Sequence, residues 1–219
     1  MTRTLIKICG VTRVEDAESI VDLDVDVIGL NFVAKSPRSI SVMTAREIQA
    51  ALRSRNRALS IWAVFADAVP EHVAAVISEI TPDVLQFHGE ETPEYCRQFA
   101  RPYVKVVPMR PGVSIAEMAE GYDDATMLLL DTWTRGHSGG TGTTFDWSLW
   151  PRKCTKPLML AGGLDPENVA SAVQRLSPAA VDVAGGVEGG IKGIKDLERC
   201  RRFVEAVRMI DQQLERSSK

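Results

Sequence analysis

The chain has 219 residues, 45% of them hydrophobic and 25% charged, with a formal net charge of -3. That is the globular average, with enough apolar material for a sizeable core. The weak negative balance excludes the electrostatic footprint of a nucleic-acid or anionic-membrane binder. No apolar run reaches the length of a membrane span, and the first residues, Met1 to Cys9, lack the apolar centre of a signal peptide. Cytoplasm is therefore the expected compartment. The four cysteines, at positions 9, 96, 154 and 200, have no paired spacing, which speaks against a zinc ribbon or a C-x-x-C redox motif.

In chain order, short β-branched or apolar runs alternate with amphipathic helical stretches. The predicted strands are Leu5–Cys9, Val27–Phe32, Leu59–Phe65, Val84–His88, Tyr103–Met109, Met127–Thr132, Pro157–Gly162 and Ala180–Ala184. The predicted helices are Val14–Leu23, Thr44–Arg53, Pro70–Ile80, Thr92–Phe99, Ile115–Gly121, Asn168–Leu176 and Lys195–Leu214. Trp147–Cys154 is only weakly helical, because Pro151 limits it. Thr92-Pro93-Glu94 and Asp165-Pro166-Glu167-Asn168 each put a capping side chain before a first-turn proline. Strands recur at intervals of one βαβ step, and eight of them is the count of a closed parallel barrel. No loop is long enough to be a domain linker, so the expectation is α/β, a single (β/α)8 TIM barrel over residues 1–219.

Such a barrel builds its active site from strand carboxyl ends and the loops after them. Those positions here hold Cys9, Asn31, Asp67, His88, Asp131, Gly162-Gly163 and Gly185-Gly186, while strand interiors are Ile, Leu and Val. Asp131 closes an apolar run and opens onto Gly139-Gly-Thr-Gly142; Cys9 ends the first strand in the same way. Paired glycines let backbone amides approach an anion, and the loops after the seventh and eighth strands of these barrels often bind phosphate. Gly140, Gly142, Gly162, Gly163, Asp182, Ala184, Gly185 and Gly186 are the candidate phosphate-binding residues. The basic stretch Arg199 to Arg208 reads as a solvated helix face. Asp67 and His137 read as surface loop residues, Trp147 as packing.

Seven motifs together resemble phosphoribosylanthranilate isomerase: Lys7-Ile-Cys-Gly-Val-Thr12; Gly29-Leu-Asn-Phe32 with Lys35–Ser41; Gln86-Phe-His-Gly-Glu90; Leu130-Asp131-Thr132; Gly139–Trp147; Ala161–Asn168; and Val181-Asp-Val183 with Gly186-Val-Glu188. The resemblance spans residues 7 to 188 and implies a ribulose-phosphate-binding barrel of tryptophan biosynthesis. It implies an Amadori rearrangement of N-(5-phosphoribosyl)anthranilate, a small phosphorylated substrate, with no metal or organic cofactor. It further implies Cys9 as general base, Asp131 as general acid and Arg38 on the anthranilate carboxylate, with His88 in an active-site motif. Lys7, Arg38 and His88 are the substrate-binding candidates; Lys7 lies two residues before Cys9 and so points the same way, where it could also supply positive surroundings for the thiolate. For Asp131 to donate a proton, partial burial would have to raise its pKa.

The sequence departs from the family in one place that bears on binding. The family's Ser-Ser after the eighth strand is Ala184-Gly185 here, so two hydroxyls that would bond phosphate are missing. That departure motivates one alternative, a related phosphosugar barrel enzyme with another substrate; a catalytically silent phosphate-ligand-binding barrel is the other, and the retained pair Cys9 and Asp131 argues against it.

Overall fold

The computed structural model describes residues 3–55, 59–133 and 144–217. All eight predicted strands form: β1 Leu5–Cys9, β2 Val27–Asn31, β3 Ser60–Phe65, β4 Val84–Phe87, β5 Tyr103–Met109, β6 Met127–Thr132, β7 Leu158–Leu160 and β8 Ala180–Val183. They pair in parallel, in chain order, and β8 returns to β1 to close the barrel. The helices are α1 Val14–Ile20, α2 Val42–Ser54, α3 Pro70–Ile80, α4 Pro93–Arg97, α5 Ile115–Gly121, α6 Val169–Leu176 and α7 Leu197–Ser217.

Two apolar layers follow from the period of two along each strand. Outward residues such as Ile6, Ile8, Ile28, Leu30, Leu128 and Leu130 join the helices in the larger core. Inward residues, among them Val27, Trp62, Val104, Met127, Leu129, Met159 and Ala180, fill the barrel. The same alternation turns Lys7 and Cys9, Gln86 and His88, Asp131, and Asp182 inward. Apolar residues thus pack the lower barrel, and the polar inward positions lie on or toward its carboxyl-end rim.

Several element ends differ from the predicted ones for local reasons. β2 stops at Asn31, whose Oδ1 takes the Val33 N–H at 2.8 Å and starts a turn. β7 is shorter than the predicted Pro157–Gly162: Pro157 has no N–H to donate, and Gly162 lies at φ +84. α2 begins before Thr44 because Ser41 caps it, accepting the Thr44 N–H at 3.0 Å. α4 starts as predicted from a Thr92 cap with Pro93 in its first turn. Asp165 does not cap α6 directly; its carboxylate binds the Glu167 and Asn168 amides in the turn before it. Trp147–Cys154 reduces to a single 3₁₀ turn, Trp147–Leu149, so the described part of the β6 to β7 connection contains no α-helix. Trp147 packs against the core as expected.

Candidate active site

β1 and β8 place a buried ion pair inside the barrel. Lys7 is fully buried, and its Nζ donates to Asp182 Oδ1 at 2.9 Å. The ammonium also lies 5.8 Å from the centroid of the Trp62 ring. Cys9, one inward position further along, is nearly buried. The neighbouring residue on β2 is Gly29; a Cβ there would sit 2.8 Å from Cys9 Sγ and 3.0 Å from Lys7 Cε. Only glycine leaves room for thiol and ammonium side by side. The positive surroundings expected for Cys9 are present, but they do not dominate. Burial pushes the thiol above its ordinary pKa, outweighing the pull of Lys7, while Asp182 pushes further upward. For Lys7, burial opposes the charge, yet Asp182 and then Cys9 hold its pKa above the usual lysine value.

Across the rim, the Asp131 carboxylate on β6 meets His88: Nε2 and Oδ2 are 3.1 Å apart. Its other oxygen accepts the Thr132 N–H at 2.8 Å, so the carboxyl orientation is fixed from both sides. Gln86 Nε2 lies 3.4 Å from His88 Nδ1, which makes a row of Gln86, His88 and Asp131 along the wall. Behind that wall, on the outward face of β5, Lys105 and Glu91 form a buried pair at 2.8 Å. Glu91 accepts the N–H groups of Asp67 and Gly89 at 2.8 and 2.9 Å, which ties down the residue after His88. Asp67 is exposed, as expected, but it is not idle: Oδ1 accepts the Glu90 N–H at 2.7 Å.

Arg38 reaches in from the loop after β2. Its Nε and Nη2 donate to the two Glu188 oxygens at 2.6 and 2.8 Å. Lys195, almost completely buried, lies 3.2 Å from Glu188 Oε1 and donates to Ala184 O at 3.0 Å. Burial resists the charge on Glu188, but Arg38, followed by Lys195, holds its carboxyl below the usual range. Burial pulls Lys195 below an ordinary lysine, and Glu188 opposes that pull.

Cys9, Arg38, His88, Asp131 and Asp182 line one cavity of about 380 Å³, together with Gly162, Gly163, Ala184, Gly185 and Gly186. The two glycine pairs, after β7 and β8, therefore border the same space as the thiol of β1 and the carboxyl of β6. Gly186 is tightly placed: a Cβ on it would come within 1.9 Å of Leu164 O. Gly140 and Gly142 lie outside the described residues. Sequence reasoning missed Gln86, Glu188, Lys192, Lys195 and Arg199. All but Lys195 line the cavity, and Lys195 meets Glu188 and Ala184 from behind. Arg199 corrects the reading of its stretch as a solvated face, since its Nε donates to Gly186 O at 3.0 Å. Arg208 also departs from that reading, bonding Asp24, Asp26 and Thr4 O. Gln86 and Glu188 stood inside two of the quoted family motifs without a role of their own; for Lys192, Lys195 and Arg199 the signal was position, in the loop after β8 and the first turn of α7.

The family model described as N-(5'phosphoribosyl)anthranilate (PRA) isomerase matches residues 6–206. The chain belongs to the phosphoribosylanthranilate isomerase family. Among isomerases of that name, it is 48% identical over 208 residues to the one from Pseudomonas aeruginosa (strain UCBPP-PA14), covering 95% of this chain and 97% of the relative. Identity to the isomerase of Pseudomonas fluorescens (strain SBW25) is 46%, again over 95% of this chain and 97% of the relative. The crystal structure of phosphoribosyl anthranilate isomerase from Thermotoga maritima superposes with a TM-score of 0.81 at 36% identity, covering 94% of this chain and 99% of that one. A phosphoribosyl anthranilate isomerase solved in complex with reduced 1-(o-carboxyphenylamino)-1-deoxyribulose 5-phosphate matches equally well, with a TM-score of 0.81 at 35% identity and the same coverage. Among the described residues, no helix is long and apolar enough to cross a membrane.

Proposed function

We propose that the chain isomerises N-(5'-phosphoribosyl)anthranilate to 1-(o-carboxyphenylamino)-1-deoxyribulose 5-phosphate, a step of tryptophan biosynthesis in the cytoplasm. The observation that carries the reading is the shared cavity: Cys9 on β1 and the His88-braced Asp131 on β6 line one space, together with the paired glycines. The reaction moves protons only, so two protein groups suffice as acid and base. Asp131 gives a proton to the ring oxygen of the aminated furanose, and the ring opens to an imine. Cys9 takes the proton from the adjacent sugar carbon, leaving an enolamine that becomes the ketose. Arg38 holds the anthranilate carboxylate, and the Gly162-Gly163 and Gly185-Gly186 amides hold the phosphate. Burial makes the Cys9 thiolate a stronger base and a rarer one, and Lys7 offsets part of that rarity.

The test is turnover of N-(5'-phosphoribosyl)anthranilate by purified protein, with Cys9→Ala and Asp131→Asn beside it. Each substitution is expected to lower kcat by about 10²- to 10⁴-fold, the usual contribution of one proton-transfer group. Absence of wild-type turnover overturns the reading; full activity in Asp131→Asn removes the acid assignment.

A further inference from the structure

Arg38 meets Glu188 side-on, through Nε and Nη2 at 2.6 and 2.8 Å. A guanidinium carries five N–H donors in a fixed fork, so this contact leaves the end-on edge, both Nη1 hydrogens and one of Nη2. Among the described residues no acceptor takes Nη1, and Arg38 lines the cavity. Two glycines make room around the side chain. A Cβ at Gly10 would lie 2.5 Å from Arg38 Cδ, and one at Gly185 would lie 3.2 Å from Nη2. The end-on edge is the geometry that matches a second carboxylate.

Charge is the difficulty. Arg38 and Glu188 alone sum to zero, and a neutral pair attracts an anion weakly. Lys7 does not repair this, because Asp182 matches it at 2.9 Å. Lys195 does. Its Nζ lies 3.2 Å from Glu188 Oε1, on the same carboxylate that Arg38 uses, and its side chain is 1% exposed. The three groups together carry one positive charge, and Lys195 itself is too buried to be the group a ligand touches. An antiparallel bridge between Glu188 and Lys195 keeps the two in register.

We propose that Lys195 is a positioning residue that balances Glu188, so that the end-on edge of Arg38 stays electropositive toward the carboxylate of the aromatic amine. The inference rests on the isomerase reading above and adds the source of its carboxylate selectivity. Glu188 fixes the direction of the guanidinium, and Lys195 restores the charge that Glu188 removes.

Calorimetric binding of two probes tests it: reduced 1-(o-carboxyphenylamino)-1-deoxyribulose 5-phosphate and its phenylamino counterpart without the carboxylate. Wild type is expected to prefer the first. Lys195→Met is expected to lose about 30-fold or more in affinity for the carboxylate probe, the scale of a disrupted buried charge contact, and under threefold for the other. The double variant Lys195→Met/Glu188→Gln returns the trio to one positive charge and is expected to regain most of the preference. Equal weakening of both probes by Lys195→Met, or no recovery in the double variant, overturns the proposal and leaves the isomerase reading standing. Equal binding of both probes by wild type overturns the Arg38 assignment as well. Should Lys195→Met not fold, Lys195→Gln takes its place in both the single and the double variant, with the same supporting and overturning results.

Discussion

Replacing Lys7 with Met removes the cation beside Cys9 without leaving a hole. The space for a Gly29 Cβ lies 2.8 Å from Sγ and 3.0 Å from Lys7 Cε, so thiol and ammonium are close neighbours. On those distances no more than about 7 Å can separate ammonium and sulfur, and even at that limit a unit charge in an effective dielectric of about 20 contributes about 2 kcal/mol to the thiolate. That corresponds to a factor on the order of 50 in thiolate fraction near neutral pH. The substitution also leaves Asp182 nearly buried and unmatched, and Asp182 repels the thiolate. The assay is the alkylation rate of the Cys9 peptide by iodoacetamide, followed by mass spectrometry so that Cys154, the more exposed thiol, does not interfere. The expected result is a fall of about 50-fold in Lys7→Met, partly recovered in Lys7→Met/Asp182→Asn. An unchanged rate in Lys7→Met would refute the electrostatic reading of β1.

Two further expectations follow from the same geometry. Burial holds the Cys9 thiol above its ordinary pKa, so its thiolate fraction should still be climbing at about pH 9; ultraviolet thiolate absorbance, wild type minus Cys9→Ala, measures this, and a plateau below about pH 8 contradicts it. The sign for stability is opposite: a thiol pKa raised by folding stabilises below the unfolded value and loses that contribution as pH rises toward the folded one. Separately, Lys105→Met leaves Glu91, whose side chain is 2% exposed, without its partner. The cost should be about 3 to 5 kcal/mol by urea denaturation, mostly restored by Lys105→Met/Glu91→Gln; a loss below about 1 kcal/mol would show the pair to be unimportant.

The barrel was legible because each strand is a local pattern. Apolar outward positions such as Ile6, Ile8, Leu128 and Leu130 repeat with the period of a strand, and helix signals separate the runs. Cys9 and Asp131 were legible as unusual residues at strand ends. Their partners were not. Lys7 finds Asp182 at a separation of 175 residues, Arg38 finds Glu188 at 150, and His88 finds Asp131 at 43; nothing local in the sequence announces such pairs. The direction of the Cys9 pKa was hidden for the same reason, since it depends on how burial compares with the charges around it. Arg199 sits among basic residues on a helix whose opposite face is apolar, so periodicity gave its exposure but not its contact with Gly186 O.

Two ion pairs at the site, Lys7 with Asp182 and Arg38 with Glu188, both join the first quarter of the molecule to the last. Neither can form until β8 docks along β1. A folding chain that has assembled only its middle strands holds Asp131 and His88 but lacks the thiol with its lysine, the aspartate that matches that lysine, and the arginine's anchor. Appearance of ligand binding during refolding therefore reports the final stitch of the ring, and a cut or destabilisation anywhere along that seam would silence the molecule while leaving most of its secondary structure in place.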